Sequence, residues 1–501
     1  MKNLIYQMLP RLWGNGKFSA VDAAFLAYLR EELRVDTVWY TGVIRHATRK
    51  ADEGCTPAKV VKGEAGSPYA IADYYDVNPY LADDPSQRMA EFEALVARTH
   101  AAGLKVLIDF IPNHVAREYD GAMTPAGETR LGAADNPSVH WSPENDFYYY
   151  PGAALRLPVD CGGYSEYPAR ASGNSFTPSP DVNDWYETVK INYGDSHTPT
   201  WDRMRSIVRF WAAKGVDGFR CDMVELVPPA FMQWLIASVK AEFPHVRFVA
   251  EVYETEKYPL YVNEVGFDLL YDKSGLYDRL RAVTCDGASA RSLTGNWQML
   301  GELQGRMLNF LENHDEQRVA SVFFAGTAEK GYAALAVSLL QNDASFMLYF
   351  GQEIGERGMD DEPFSGVNGR TSIFDWWTVA SLERLRKWIG NHRGGLTRAE
   401  RDVLAHYREL LSLSRRPAFA SGNSFDLCYC QGEGFDADRN YAFLRSDGKE
   451  CWLVAAHFGD EPAGLTLRIP PEAGDYFGMQ LPAGVPVEVP AWNAVTLKIA
   501  E

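Results

Sequence analysis

Positive charge is in short supply: 49 Lys and Arg stand against 67 Asp and Glu, for a net charge of −18 with His neutral. Nucleic-acid backbones and anionic membranes both recruit basic surfaces, so neither is expected as a partner, whereas a neutral ligand suits this balance. Cysteine is scarce as well. Seven residues scattered over 501 positions form neither a disulfide framework nor a zinc spacing, which favours a reducing compartment. Cys428-Tyr429-Cys430 is too tight for a usual ligand pair and reads as neighbouring side chains of one strand. No run of roughly 20 apolar residues is present, so no membrane-spanning helix is expected. The N-terminal residues Met1 to Gln7 pass straight into a strand-like segment with no apolar h-region and no cleavage site, and a cytoplasmic location is expected. Internal repeats and low-complexity tracts are missing too.

What is present is an alternation. Short apolar runs occur at Leu4 to Leu9, Thr37 to Tyr40, Lys105 to Ile111, Val216 to Met223, Arg247 to Val252, Phe267 to Tyr271, Leu308 to Leu311 and Ser345 to Tyr349. Each is too short for a helix of usual length and suits a parallel strand buried on both faces. Amphipathic helical segments lie between them: Ser86 to Ala102 before Gly103, Thr200 to Lys214 before Gly215, and Pro228 to Phe243 before Pro244. Eight strands alternating with helices predict an α/β fold, a (β/α)8 TIM barrel. Residues 115–193 break the pattern with many Gly, Pro, Asn and Asp and little helical period, and read as a loop-rich insertion after the third strand. After about residue 415 strand-like alternation resumes at Tyr441 to Leu444, Cys451 to Ala455 and Leu465 to Ile469. The organisation expected is therefore barrel 1–114, inserted domain 115–193, barrel 194–414 and a C-terminal all-β sandwich 415–501.

Reactive groups of a barrel enzyme sit at the C-terminal strand ends. Four of these ends pass from apolar to polar: Leu107-Ile108-Asp109-Phe110-Ile111-Pro112-Asn113-His114, Gly218-Phe219-Arg220-Cys221-Asp222, Phe248-Val249-Ala250-Glu251 and Asn309-Phe310-Leu311-Glu312-Asn313-His314-Asp315. One carboxylate after an apolar run is ordinarily a helix cap. Four on one barrel face, with two His and an Arg, call for another explanation. Glycoside hydrolysis supplies one, because an oxocarbenium-like transition state needs one ionised and one protonated carboxyl group.

These blocks, Asp109 to His114, Gly218 to Asp222, Ala250-Glu251 and Asn313-His314-Asp315, resemble the four motif regions of the α-amylase family in order and spacing. The resemblance spans about residues 1 to 400, puts the insertion where that family carries its B domain, and agrees with a C-terminal β domain. It implies Asp222 as nucleophile, Glu251 as general acid and base, and Asp315 as stabiliser of the transition state. It further implies Arg220 as the group that orients and ionises Asp222, His114 and His314 as sugar ligands, and Asp109 as support. Tyr74, in Asp73-Tyr74-Tyr75-Asp76, resembles the family's sugar-stacking tyrosine. Tyr349-Phe350-Gly351-Gln352-Glu353 resembles the eighth-strand motif, mainly structural, and Gly369 to Trp376 resembles a loop near the substrate. Asn113 matches a position that binds Ca2+ in many members, so calcium is the one cofactor the resemblance raises; no organic cofactor is implied.

One departure stands out. Glu225 and Leu226 occupy positions where many starch-degrading members carry Lys and His for the acceptor side. The function implied is a retaining α-glycoside hydrolase acting on α-linked glucans or maltooligosaccharides. The alternatives are a transglycosylase working through the same covalent intermediate and a non-catalytic carbohydrate-binding protein. In each case the partner is an oligo- or polysaccharide.

Overall fold

A computed structural model describes residues 2–51, 56–390 and 394–501, so Met1 and Cys55 lie outside the described residues. The eight short apolar runs form a closed parallel barrel. Its strands are β1 (Leu4–Met8), β2 (Thr37–Tyr40), β3 (Lys105–Phe110), β4 (Gly218–Cys221), β5 (Arg247–Ala250), β6 (Leu269–Tyr271), β7 (Met307–Phe310) and β8 (Ser345–Tyr349). Each pairs in parallel with its sequence neighbours, and β8 closes on β1 through Leu4↔Phe346 to Gln7↔Tyr349. Nearly every strand residue is buried because side chains facing the axis fill the barrel and those facing outward meet helices.

The expected helices form with small shifts at their starts. Arg88–Ala101 follows a 3-10 turn at Pro85–Gln87, whose first amide groups are capped by Asp84. Pro199–Ala213 and Pro229–Glu242 each begin on proline, which has no amide hydrogen to leave unpaired. Gly103 and Gly215, at φ +75° and +89°, turn the chain from a helix into the next strand.

The insertion is loop-rich, as expected. It leaves and rejoins the barrel through a two-stranded antiparallel ladder, His114–Ala116 against Thr188–Lys190. The C-terminal region holds a four-stranded antiparallel sheet (Asn423–Asp426, Asn440–Ser446, Cys451–His457, Ala494–Ala500) and a two-stranded ribbon (Ala463–Arg468, Gly484–Val489). Leu444, Leu453, Leu467 and Val485 fill a core that the sheet and the ribbon share. Cys428-Tyr429-Cys430 is not a strand but a 3-10 turn, nucleated by Asp426, whose carboxylate accepts from the Cys428 amide at 2.7 Å. All six described cysteines are free, and no helix of the described residues is long and apolar enough to cross a membrane.

The eighth-strand motif is structural. Glu353 is fully buried, and its Oε1 accepts from Tyr6 at 2.8 Å and Tyr28 at 3.2 Å. Its Oε2 has no hydrogen-bond partner among the described residues. Burial raises its carboxyl group from 4.5 to about 6. A carboxyl group raised on folding stabilises the protein below its unfolded value and loses that contribution as pH rises through the folded one. The loss expected between pH about 4.5 and 6 is about 2 kcal/mol. Glu353→Gln keeps the acceptor for both tyrosines and removes the titration. Its Tm should match wild type at pH 4 and exceed it at pH 7, and parallel Tm–pH curves would refute the assignment.

Candidate active site

The pleat puts the chemistry on one side. Residues two apart on a strand share a face, so Arg220 and Asp222 point into the barrel mouth while Phe219 and Cys221 point away, each at most 1% exposed. Register places Arg220 beside Asp109 on β3 and Val249 on β5, and Glu251 shares the inward face of Val249. After β7 the chain makes a tight turn in which Asn313 Oδ1 accepts from the amides of Asp315 and Glu316, both at 2.8 Å. This turn aims His314 and Asp315 at the other groups. Glu312, just before it, is engaged elsewhere: it accepts from Arg318 at 2.8 Å and from the Val319 amide at 2.7 Å.

Arg220 is the hub. Its Nη1 donates to Asp222 Oδ1 at 2.6 Å and its Nη2 lies 2.7 Å from Glu251 Oε1. The guanidinium is walled by Trp39, Tyr69 and Tyr271, whose ring centroids lie 5.4 to 5.5 Å away. Arg220, Asp222 and Glu251 are buried, so one fixed cation holds two carboxyl groups in a low dielectric. Burial raises the Asp222 carboxyl group, Arg220 opposes the rise and Glu251 reinforces it. Chemistry with one acid and one nucleophile requires one carboxyl group protonated and its neighbour ionised.

Glu251 is held on both oxygens. Oε1 accepts from the Tyr253 hydroxyl at 2.8 Å and Oε2 from the Met223 amide at 2.9 Å. The second contact depends on Met223 standing at φ 46°, a left-handed conformation uncommon outside glycine, directly after Asp222. Glu225, the departure noted in the sequence, turns from the pocket: its carboxylate accepts from the Tyr253 amide at 2.7 Å and the Glu254 amide at 3.1 Å. It thereby braces the residue that contacts Glu251. Leu226 beside it stands 40% exposed.

The two histidines are neutral at ordinary pH. Burial, with help from Arg220, lowers His314 to about 3; burial, with help from Lys190, lowers His114 to about 3. As oriented, Gln7 donates to His314 Nδ1 at 2.8 Å, which leaves the proton on Nε2, 3.0 Å from Asp315 Oδ2. Asp109 lies behind them, near the Gly42 amide and the Tyr69 hydroxyl, each at 3.4 Å, and burial raises it to about 6.

Asp222, Glu251, Asp315, His114 and His314 all line one cavity of about 270 Å³, at the small end of the roughly 300–1,000 Å³ usual for ligand pockets. Ile373 and Phe374 of the Gly369 to Trp376 loop also line it, and Arg370 contacts the Asp315 carbonyl from behind. A roomier cavity of about 520 Å³ opens at the opposite, N-terminal mouth. Charges there pair with one another, Arg415 with Asp36 at 2.6 Å and Arg247 with Asp268 at 2.8 Å, and the strand ends bear no comparable set. The chemistry therefore belongs to the smaller pocket.

Two of the expected positions have other surroundings. Tyr74 does not line the pocket: its ring is wholly buried and its hydroxyl donates to the carbonyls of Ile111 at 2.5 Å and His114 at 3.1 Å. Tyr69, five residues earlier in the turn before that strand, lines the pocket, with its hydroxyl 2.5 Å from His314 Nε2. Asn113 does not present a calcium ligand set. The Lys190 ammonium sits on its Oδ1, and its Nδ2 donates to the Gly173 carbonyl at 2.9 Å. Among the described residues no group of three His, Cys, Asp or Glu is placed to hold a metal. Sequence reasoning also missed Trp185, Tyr253 and the Lys62–Glu187 ion pair at 3.1 Å, all lining the pocket. They come from loops with no periodic signal.

The model of the α-amylase catalytic domain matches residues 23–380. Alpha-amylase 3 of Dictyoglomus thermophilum is 24% identical over 367 residues, covering 69% of this chain and 66% of its own length. Cyclomaltodextrin glucanotransferase of Geobacillus stearothermophilus is 28% identical over 344 residues, covering 64% of this chain and 42% of its own. The chain thus spans less than two thirds of either relative's length. Among solved structures, the ligand-free cyclic α-maltosyl-(1→6)-maltose hydrolase from Arthrobacter globiformis superposes with a TM-score of 0.67 at 18% identity, covering 100% of this chain and 98% of that one. With more than half of its length matched by that catalytic-domain model, and with the four motif regions gathered around one pocket, this chain belongs to the α-amylase family.

Proposed function

We propose that the protein is a retaining α-glycoside hydrolase acting on α-linked glucans or maltooligosaccharides. The observation that carries this reading is the single guanidinium of Arg220 joining Asp222 and Glu251 at the wall of a pocket that Asp315 and both histidines also line. Asp222, in its carboxylate form and oriented by Arg220, attacks the anomeric carbon while Glu251 protonates the departing oxygen. The product is a covalent glycosyl-enzyme, and the separation that this route calls for between the two carboxyl groups is on the order of 5–5.5 Å. Glu251, now a carboxylate, takes a proton from water, which attacks the same carbon and restores the original configuration. His114, His314 and Asp315 bind the sugar at the reacting centre, Asp109 supports them, and Tyr69 in place of Tyr74 supplies the aromatic wall. The small pocket supports short oligosaccharides over deep binding of a long chain. The scarcity and odd number of cysteines, with no pairing among the described ones, support a reducing, cytoplasmic location.

Glycosyl transfer through the same intermediate is the second reading. What supports it is the presence of a cyclomaltodextrin glucanotransferase among the similar proteins, 28% identical over 344 residues. Incubation with a linear maltooligosaccharide separates the two. Shorter sugars alone support hydrolysis, and products longer than the substrate support transfer. No reaction on this substrate or on branched glucans and small disaccharides would overturn both.

A further inference from the structure

The calcium position implied by Asn113 is filled by part of the chain itself. Lys190 lies opposite His114 in the ladder through which the insertion rejoins the barrel. It is 9% exposed, and its ammonium reaches two neutral oxygens, Asn113 Oδ1 and the Leu226 carbonyl, the latter at 2.8 Å. Neither contact is a carboxylate. The nearby Glu187 carboxylate is taken by Lys62 at 3.1 Å. Calcium asks for six to eight oxygens, usually with carboxylates among them; two neutral oxygens already facing an ammonium do not meet that requirement.

The three segments joined here matter for the reaction. Asn113 lies in the strand-3 block, Lys190 lies near the end of the insertion, and Leu226 lies in the loop that starts at Asp222. That loop delivers the Met223 amide to Glu251 Oε2 at 2.9 Å and the Glu225 carboxylate to the Tyr253 amide at 2.7 Å. Tyr253 in turn donates to Glu251 Oε1 at 2.8 Å. A pull on the Leu226 carbonyl is thus transmitted to both oxygens of Glu251.

We propose that Lys190 is a resident cation standing in for a divalent metal: a positioning residue that locks the insertion to the barrel and, through the 222–226 loop, sets Glu251, leaving the protein independent of calcium. The assignment of Glu251 as proton donor rests on the proposed function; the metal independence does not.

Two arms test this. In the first, the full wild-type chain is freed of metal with a chelator and compared with protein in millimolar calcium chloride. Tm is expected to agree within about 2 °C, with no stoichiometric calcium in the purified protein by elemental analysis. One calcium per chain, or a Tm that collapses on chelation, would overturn the proposal whatever the activity. In the second, Lys190→Met removes the ammonium and keeps the apolar stem. Its kcat/KM on a maltooligosaccharide is expected to fall about 10- to 100-fold. The kcat/KM for fluoride release from α-maltosyl fluoride, which reports the first step alone and needs no proton donor, is expected to change little. Equal losses on both substrates would reduce Lys190 to a structural residue, and no loss on either would remove it from the account. Should the Met variant fail to fold, the first arm still decides the metal claim, and Lys190→Arg, which keeps a cation, carries the comparison of substrates.

Discussion

Replacing Asp222 by Asn is expected to lower kcat by about 10⁴-fold or more, while a maltooligosaccharide still binds within a few-fold of wild type. The size of the effect follows from the position of the group. Asp222 accepts from Arg220 Nη1 at 2.6 Å, at the wall of the pocket that Glu251 and Asp315 also line. Asn keeps the oxygen that accepts from Arg220, so the guanidinium stays anchored, but its amide has no charge with which to form a glycosyl ester. Arg220 also keeps its contact with Glu251, which avoids a buried cation without any counter-charge, the costly outcome of breaking such a pair. Steady-state sugar release gives kcat, and calorimetric titration gives the affinity. Near-normal turnover with Asn would sink the mechanism; unchanged binding with lost turnover would also dispose of the non-catalytic reading.

The second large effect is expected at Glu251. Glu251→Gln removes the transferable proton while retaining an oxygen for the donors that hold it, Tyr253 and the Met223 amide. General acid–base catalysis is worth about 10²- to 10⁴-fold, so kcat on a maltooligosaccharide should fall by that factor. An α-glycosyl fluoride needs no acid in the first step, so the intermediate should still form and then wait for an activated nucleophile. Added azide needs no base and should restore turnover, giving a glycosyl azide of α configuration because it displaces Asp222 from the opposite face. A β-configured azide from this variant, identified by NMR, would mean that the roles of Asp222 and Glu251 are exchanged.

Much of the scaffold was legible because burial on both faces leaves a simple signature. Runs such as Lys105 to Ile111 and Ser345 to Tyr349 are continuous apolar segments bounded by glycine or polar residues, and they form β3 and β8 within a residue or two. The strand ends were legible for a related reason: a buried apolar strand that stops at Arg220-Cys221-Asp222 or Ala250-Glu251 places charge where it is expensive, so such charges tend to have a task. Tyr74 was misjudged because its strand, Ile71–Val77, is buried on both faces, so alternation does not say which tyrosine faces the ligand. The pocket residue Tyr69 lies in the preceding turn, where no period exists to read. Lys190 was invisible for another reason. It sits 77 positions from Asn113, and only the return of the insertion along the His114–Ala116 ladder brings the two together. Glu225 and Leu226 were legible as a departure, but the inward brace from Glu225 to the Tyr253 amide depends on a loop geometry that one-dimensional spacing does not carry.

The central claim is a double displacement at the anomeric carbon by Asp222 and then water. The most direct measurement follows the anomeric protons by NMR during the first minutes of maltooligosaccharide cleavage, before mutarotation mixes the products. The account predicts that the α-anomer appears first and the β-anomer grows in later. Release of the β-anomer first would show a single displacement and contradict the assignment of Asp222 as nucleophile.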